Sequence, residues 1–255
     1  MNKVLQILGV ILLLAVAACD GGEKKTLVVG TSADYPPFAF VEGKQVVGFD
    51  IDLAKEIADS LGCKLHIKEM HFNELIPALN KNRIDLCVSA MTSTPERSSH
   101  VDFSIKYYLP SFALMYRKQS PITSVKALEG KTIAVQRGST MEGFLKEKLG
   151  EIRNARIISF ERTSVMLEDL KKGKADCILI ELEQSKAFCS VHSDLAYANV
   201  VAPAQYTNYA IAFPRGSKLR PKVDHILLKL KVSNRFDQLR GKWFQDVAGS
   251  NTMKE

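Results

Sequence analysis

Apolar residues along the chain fall into two recurring patterns. Short runs, several rich in β-branched residues, occupy positions 27–30, 65–70, 86–90, 112–117, 132–136, 156–160, 177–181 and 209–213, and each reads as a strand. Between them lie stretches with helical spacing. The clearest is 48–61, where Leu53, Ala54, Ile57, Ala58 and Leu61 recur on one side while Lys55, Glu56 and Asp59 face away. Asp50 is the candidate N-cap of this helix. Segments 73–81, 141–149 and 165–172 follow the same rule. Strand and helix alternating at this pitch predict an α/β protein with mostly parallel sheets. Open α/β sheets bind ligands beyond the carboxyl ends of their strands, so residues just after each strand are the first candidates for a site.

The 86–90 run continues into Ala90-Met91-Thr92-Ser93-Thr94-Pro95-Glu96-Arg97. Thr94 suits an N-cap and Pro95 the first helical position, which puts Arg97 in the first turn. Free N–H groups and a guanidinium there converge on one anion, and a planar fork fits a carboxylate better than a lysine does. The bland alternative is an exposed arginine on a helix. Gln136-Arg137-Gly138-Ser139-Thr140 opens another helix and offers hydroxyls and backbone donors, although turn chemistry explains it equally well. Glu181 ends a buried run; it either pairs with a cation or caps the next helix. Ser32, Asp34 and Tyr35 follow the first run and Phe72 the second, and paired aromatics can sandwich a bound side chain or stack on its cation. Core packing is the commoner role for Phe38 and Phe40. An arginine, an opposed carboxylate and two aromatics together make a site for a zwitterion.

Residues 4–18 form an apolar run behind Asn2 and Lys3, with the positive start and short core of an export signal, too short to span a bilayer comfortably. The run ends Val16-Ala17-Ala18-Cys19, which resembles a bacterial lipoprotein cleavage box. That resemblance makes 1–18 a signal peptide, Cys19 the acylated first residue and 19–25 a polar, glycine-containing tether. Asp20 resembles a signal for inner-membrane retention in Gram-negative bacteria. Losing 1–18 and the charge of Lys3 takes the formal net charge from +7 to +6. That charge is spread among 28 acidic residues, so an anionic membrane surface explains it and no nucleic-acid partner is implied. Cys87 and Cys177 sit in apolar runs and read as buried free thiols; pairing of Cys63 or Cys189 is left open. Neither C-x-x-C nor zinc-like Cys/His spacing occurs, and no cofactor is predicted.

Several segments, in order, resemble the family 3 bacterial extracellular solute-binding proteins, the polar and basic amino-acid receptors of ABC transporters. They are Thr31-Ser32-Ala33-Asp34-Tyr35-Pro36-Pro37-Phe38, 48–61, 72–79, Thr94-Pro95-Glu96-Arg97, Val101-Asp102-Phe103-Ser104, Gly138-Ser139-Thr140 and Gly241-Lys242-Trp243-Phe244. The resemblance implies a two-lobed, type II periplasmic-binding-protein-like fold, each lobe α/β. Lobe 1 would combine 26–106 with 210–255, lobe 2 would be 112–204, and the hinges 107–111 and 205–209. Closure around the ligand would be what the permease recognises. It also implies roles. Arg97 would clamp the α-carboxylate, helped by Thr92, Thr140 and the backbone of Ala90, with Met91 alongside. Glu181 would meet the α-ammonium, and Tyr35 and Phe72 would flank the side chain. Ser32, Gln136 and Met141 occupy positions that vary with substrate. Relatives binding basic amino acids or glutamine often carry an acidic residue where Ser32 stands, which leaves Asp34 and Glu69 as the nearby carboxylates. The expected protein is a monomeric lipoprotein in the periplasm or at the cell surface, binding a polar or basic L-amino acid and partnering permease subunits.

Two alternatives belong to other classes. A few relatives of this fold became cyclohexadienyl dehydratases, and Glu181 would then be the general acid. Yet the five histidines are scattered, and neither G-x-S-x-G nor H-E-x-x-H occurs. Gly130-Lys131-Thr132 mimics the tail of a phosphate loop, but Val125 stands where its first glycine belongs. The other alternative is a surface adhesin.

Overall fold

The structure, a computed structural model, describes residues 25–201, 206 and 208–244. The apolar N-terminal run, Cys19, most of the tether and part of the second predicted hinge lie outside these residues. Among the described residues no helix is long and apolar enough to cross a membrane.

Two five-stranded sheets carry the fold. The first combines Thr26–Thr31 (β1), Lys64–Glu69 (β5), Leu86–Cys87 (β6), Asp102–Phe103 (β7) and Ala212–Phe213 (β13), in the order β5-β1-β6-β13-β7. The second combines Phe112–Arg117 (β8), Thr132–Gln136 (β9), Arg156–Phe160 (β10), Cys177–Glu181 (β11) and Leu195–Val200 (β12), in the order β10-β9-β11-β8-β12. Asp34–Tyr35 (β2), Ala39–Glu42 (β3) and Gln45–Val47 (β4) form a small antiparallel meander after β1.

In each large sheet one strand runs against the other four: β13 in the first and β8 in the second. Both follow a segment that arrives from the other sheet. Phe112, the first residue of β8, lies opposite Glu181, the last of β11, so β8 enters at the carboxyl end of its neighbour. The expectation of mostly parallel sheets holds, and its two exceptions share this cause.

Helices cover both faces of each sheet. Phe49–Ser60 (α1), Leu219–Val232 (α7) and Arg235–Trp243 (α8) pack on one face of the first sheet and Leu75–Asn80 (α2) on the other. Thr140–Lys148 (α4) and Thr163–Lys171 (α5) take opposite faces of the second sheet, with Leu182–Val191 (α6) beside α5. Pro95–Ser98 (α3) is a single turn following β6. α1 buries Leu53, Ala54, Ile57 and Ala58, the stripe its spacing predicts. Full burial of a side chain such as Leu53 or Ile57 contributes about 1.5–3 kcal/mol.

Asp50 does not cap α1. The cap is Gly48, at φ 132°, where an added Cβ would lie 2.2 Å from the Phe38 carbonyl oxygen. Only glycine fits so close a turn, and it starts the helix before Asp50. Asp50 becomes the second helical residue, fully buried and turned into the protein.

The segments running between the sheets meet in an aromatic cluster. Tyr108 and Tyr209 form an antiparallel bridge, and the Tyr107 amide donates to the Tyr209 carbonyl at 2.9 Å. Phe38, Phe49 and Phe244 pack against Tyr108, and Phe38 is core, as aromatic base rates favour. The four described cysteines are free: Cys87 and Cys177 are buried, and Cys63 and Cys189 half-buried.

Candidate ligand-binding site

The ends of β1, β6, β9 and β11 face one another across the cleft, and a cavity of about 310 Å³ of empty space lies between them. Ser32, Tyr35, Phe72, Ala90, Thr92 and Arg97 line it from the first lobe, and Gln136, Thr140 and Glu181 from the second. Two predicted residues sit elsewhere. Met91 is buried along a neighbouring groove, and Asp34 bonds across the cleft mouth.

Arg97 owes its position to the turn its sequence predicts. Thr94 Oγ1 accepts from the Arg97 amide at 3.2 Å, and Pro95 opens α3. The side chain is nine-tenths buried. Nη1 donates to the Thr92 carbonyl at 2.9 Å, and Nη2 reaches the Gly138 carbonyl of the other lobe at 2.8 Å. These bonds use two of five N–H donors, so the fork keeps capacity for an anion. The Phe72 ring lies 5.2 Å from the guanidinium carbon, close enough for a cation–π contact. Burial pulls the Arg97 pKa down to about 10, which leaves it charged at neutral pH.

Glu181 occupies the cap position of α6 without bonding to it. Its Oε1 instead accepts from the Tyr209 hydroxyl, and Oε2 is buried with no partner. Burial raises its pKa to about 7, against the opposing effect of the Tyr209 bond. Gln136 Nε2 and the Tyr35 hydroxyl are also buried without partners. Buried polar groups are normally satisfied, so three such atoms around one cavity mark where a polar ligand fits.

Asp34 and Glu69, the two carboxylates near Ser32 in the sequence, both engage the start of α5 in the opposite lobe. Asp34 Oδ2 accepts from the Thr163 amide at 2.7 Å, and Thr163 Oγ1 donates to the Asp34 carbonyl. Glu69 pairs with Arg162 at 2.6 Å. Ser32 Oγ donates to Asp34 Oδ1 at 2.9 Å, which leaves the serine oxygen's lone pairs as acceptors beside the cavity.

Ser89, which the sequence does not single out, also lines the cavity, as does Ser139 of the predicted Gly138-Ser139-Thr140 loop. Ser139 carried a signal, since it caps α4 by accepting from the Glu142 amide at 3.2 Å. Tyr209 and Asp50 carried none for their contacts, which depend on segments distant in sequence.

A cavity closed between two α/β lobes, with a buried arginine on one wall and a buried carboxylate on the other, defines a two-lobed binding protein. The profile of the bacterial extracellular solute-binding proteins, family 3, matches residues 27–246, and the chain belongs to that family. The arginine-binding extracellular protein ArtP of Bacillus subtilis (strain 168) is 37% identical over 248 residues, covering 91% of this chain and 97% of that one. A crystal structure of the substrate-binding protein of an amino acid ABC transporter is 39% identical, with a TM-score of 0.79, covering 87% of this chain and all of that one. An ancestral arginine-binding protein bound to arginine is 34% identical with a TM-score of 0.82, over 87% of this chain and 99% of that one.

Proposed function

We propose that this protein is the amino-acid receptor of an ABC importer, and that its cargo is a basic L-amino acid, arginine before others. Arg97, with Thr92 and Thr140, clamps the α-carboxylate. Glu181 Oε2 accepts from the α-ammonium, and its lack of any other partner is the observation that carries the reading. Tyr35 and Phe72 flank the side chain, whose distal donors meet the Ser32 hydroxyl oxygen, itself bonded to Asp34, and the side-chain oxygen of Gln136. The names of the relatives support arginine within the wider class of polar and basic amino acids. Lobe 1 is 26–106 with 210–255 and lobe 2 is 112–204, with hinges at 107–111 and 205–209; each large sheet draws its strands from one of these sets. Cleavage before Cys19 and lipidation there tether a monomer to the membrane, outside the cytoplasm.

Thermal unfolding of residues 20–255 against each common amino acid tests the reading. Ligand at a hundredfold its dissociation constant adds about 2.7 kcal/mol of stability. A shift with arginine, and smaller ones with lysine or glutamine, supports it. No shift with any amino acid, from folded protein freed of co-purified ligand, overturns it.

A second reading has one observation in its favour. A buried carboxyl titrating near pH 7 suits a general acid, so Glu181 fits acid–base elimination on a cyclic amino acid such as arogenate. Turnover of arogenate in the same preparation would establish it.

A further inference from the structure

Asp50 lies outside the cavity, yet it is fully buried and both its carboxylate oxygens are engaged. Oδ2 accepts from the Ala90 amide at 2.6 Å, a bond 40 residues long in sequence. Oδ1 accepts from the Tyr107 hydroxyl at 2.9 Å. Ala90 is held at φ 45°, a left-handed conformation that a residue with a Cβ rarely adopts without restraint.

The peptide unit supplies the link to the ligand. In a trans peptide the N–H and the preceding carbonyl point in opposite directions in one plane. The Ser89–Ala90 unit directs its N–H at Asp50, so its Ser89 carbonyl faces away from Asp50. Ser89 and Ala90 both line the cavity. The other arm of Asp50 leads to the opposite wall. Tyr107 donates its amide to the Tyr209 carbonyl, and the Tyr209 hydroxyl donates to Glu181.

We infer that Asp50 is a positioning residue for amino-acid recognition: it fixes the Ser89–Ala90 peptide plane so that the Ser89 carbonyl joins Glu181 as an acceptor for the ligand's α-ammonium. Through Tyr107 it ties that plane to the Tyr209 side of Glu181. This use explains why a carboxyl group is buried here: two donors, the Ala90 amide and the Tyr107 hydroxyl, converge on its two oxygens. The inference rests on the receptor reading given above.

The test measures calorimetric affinities of wild type, Asp50→Ala and Asp50→Asn for arginine and for 5-guanidinopentanoate, which is arginine without its α-ammonium. Asp50→Ala should lose at least about tenfold for arginine and less than about threefold for the analogue. Asp50→Asn, whose amide oxygen accepts from Ala90 while its NH₂ donates to Tyr107, should stay within about threefold of wild type on both. Equal losses on both ligands with no rescue by Asp50→Asn would mean a purely structural role and overturn the inference, as would wild-type arginine affinity in Asp50→Ala. If Asp50→Ala does not fold, Tyr107→Phe replaces it. That variant should show a smaller loss, again confined to arginine, and unchanged affinity overturns the inference. Failure of the wild type to bind any amino acid would remove the receptor reading and this inference with it.

Discussion

Tyr209, in the second segment running between the sheets, donates its hydroxyl proton to Glu181 Oε1 and leaves Glu181 Oε2 buried and bare. The bond secures the carboxylate from a residue of the segment between the sheets, so the proposed ammonium acceptor is held where the chain passes from one sheet to the other. Burial raises the Glu181 pKa from 4.5 to about 7. In the free protein the folded state therefore holds this proton more tightly than the unfolded chain does. Its contribution to stability falls as pH rises from about 4.5 to about 7. Ligand binding has the opposite sign, because an ammonium needs the ionised acid. Affinity for an amino acid should fall about tenfold per pH unit below about 7 and level off above it. Calorimetric titrations across that range check it. Glu181→Gln should bind more weakly and lose the slope; a slope that persists would pass the proton to Asp50, which burial also raises to about 7.

Arg97→Ala should lose about 3–5 kcal/mol of binding, roughly two to nearly four orders of magnitude in affinity, the usual cost of removing one partner of a buried charge pair. The fold should survive. Thr94 caps α3 through the Arg97 backbone amide, which alanine retains. Arg97→Lys should recover only part of the loss, since an ammonium cannot reach Thr92, Gly138 and a carboxylate in one plane. Unchanged melting temperature with lost ligand-induced stabilisation is the expected pair of results.

The Phe72 ring lies against the Arg97 guanidinium, so in the proposed site it supports the clamp as well as flanking the ligand's side chain. Phe72→Ala should therefore weaken every amino acid by several fold, in keeping with about 0.5–2 kcal/mol for a cation–π contact. Arginine should lose more than alanine, and the difference measures how far the ring also flanks the ligand. Equal losses for the two amino acids would confine Phe72 to supporting Arg97.

The parts of this site that lie on local patterns were legible in the sequence. Thr94-Pro95-Glu96-Arg97 encodes a capped turn whose geometry follows from its own residues, and Arg97 is where that turn puts it. Glu181 was legible as a polar residue ending an apolar run, but its side chain neither caps α6 nor pairs with a described cation, and accepts instead from Tyr209, 28 residues away. Asp50 was misread for the same reason. Its helical spacing marks it as a cap, whereas the close approach of Gly48 to Phe38, invisible to any local pattern, moves the helix start forward. The meander β2–β4 escaped because its strands are short, whereas α7 carries Val223, Ile226, Leu227 and Leu230 at unbroken helical spacing and was legible by the same rule as α1. Asp34 and Glu69 show the limit most clearly: sequence placed both near the cavity, and only the second lobe's position decides what they touch.

Those two carboxylates, joined to Thr163 and Arg162 across the cleft, make contacts that exist only while the lobes are together. Removing one stabilises neither lobe nor ligand contact directly; it shifts the open–closed balance. Asp34→Ala gives up a charge-assisted bond to a backbone amide and should raise koff about five- to thirtyfold, the equivalent of about 1–2 kcal/mol. Glu69→Gln should cost under about 1 kcal/mol, because both partners of that pair are a third exposed, and the difference from wild type should shrink with added salt. Stopped-flow dissociation of arginine and of alanine from both variants separates closure from recognition. A latch raises koff for the two amino acids by the same factor. If Asp34→Ala instead penalises arginine alone, Asp34 reads the ligand's side chain through Ser32, and its bond to Thr163 is secondary.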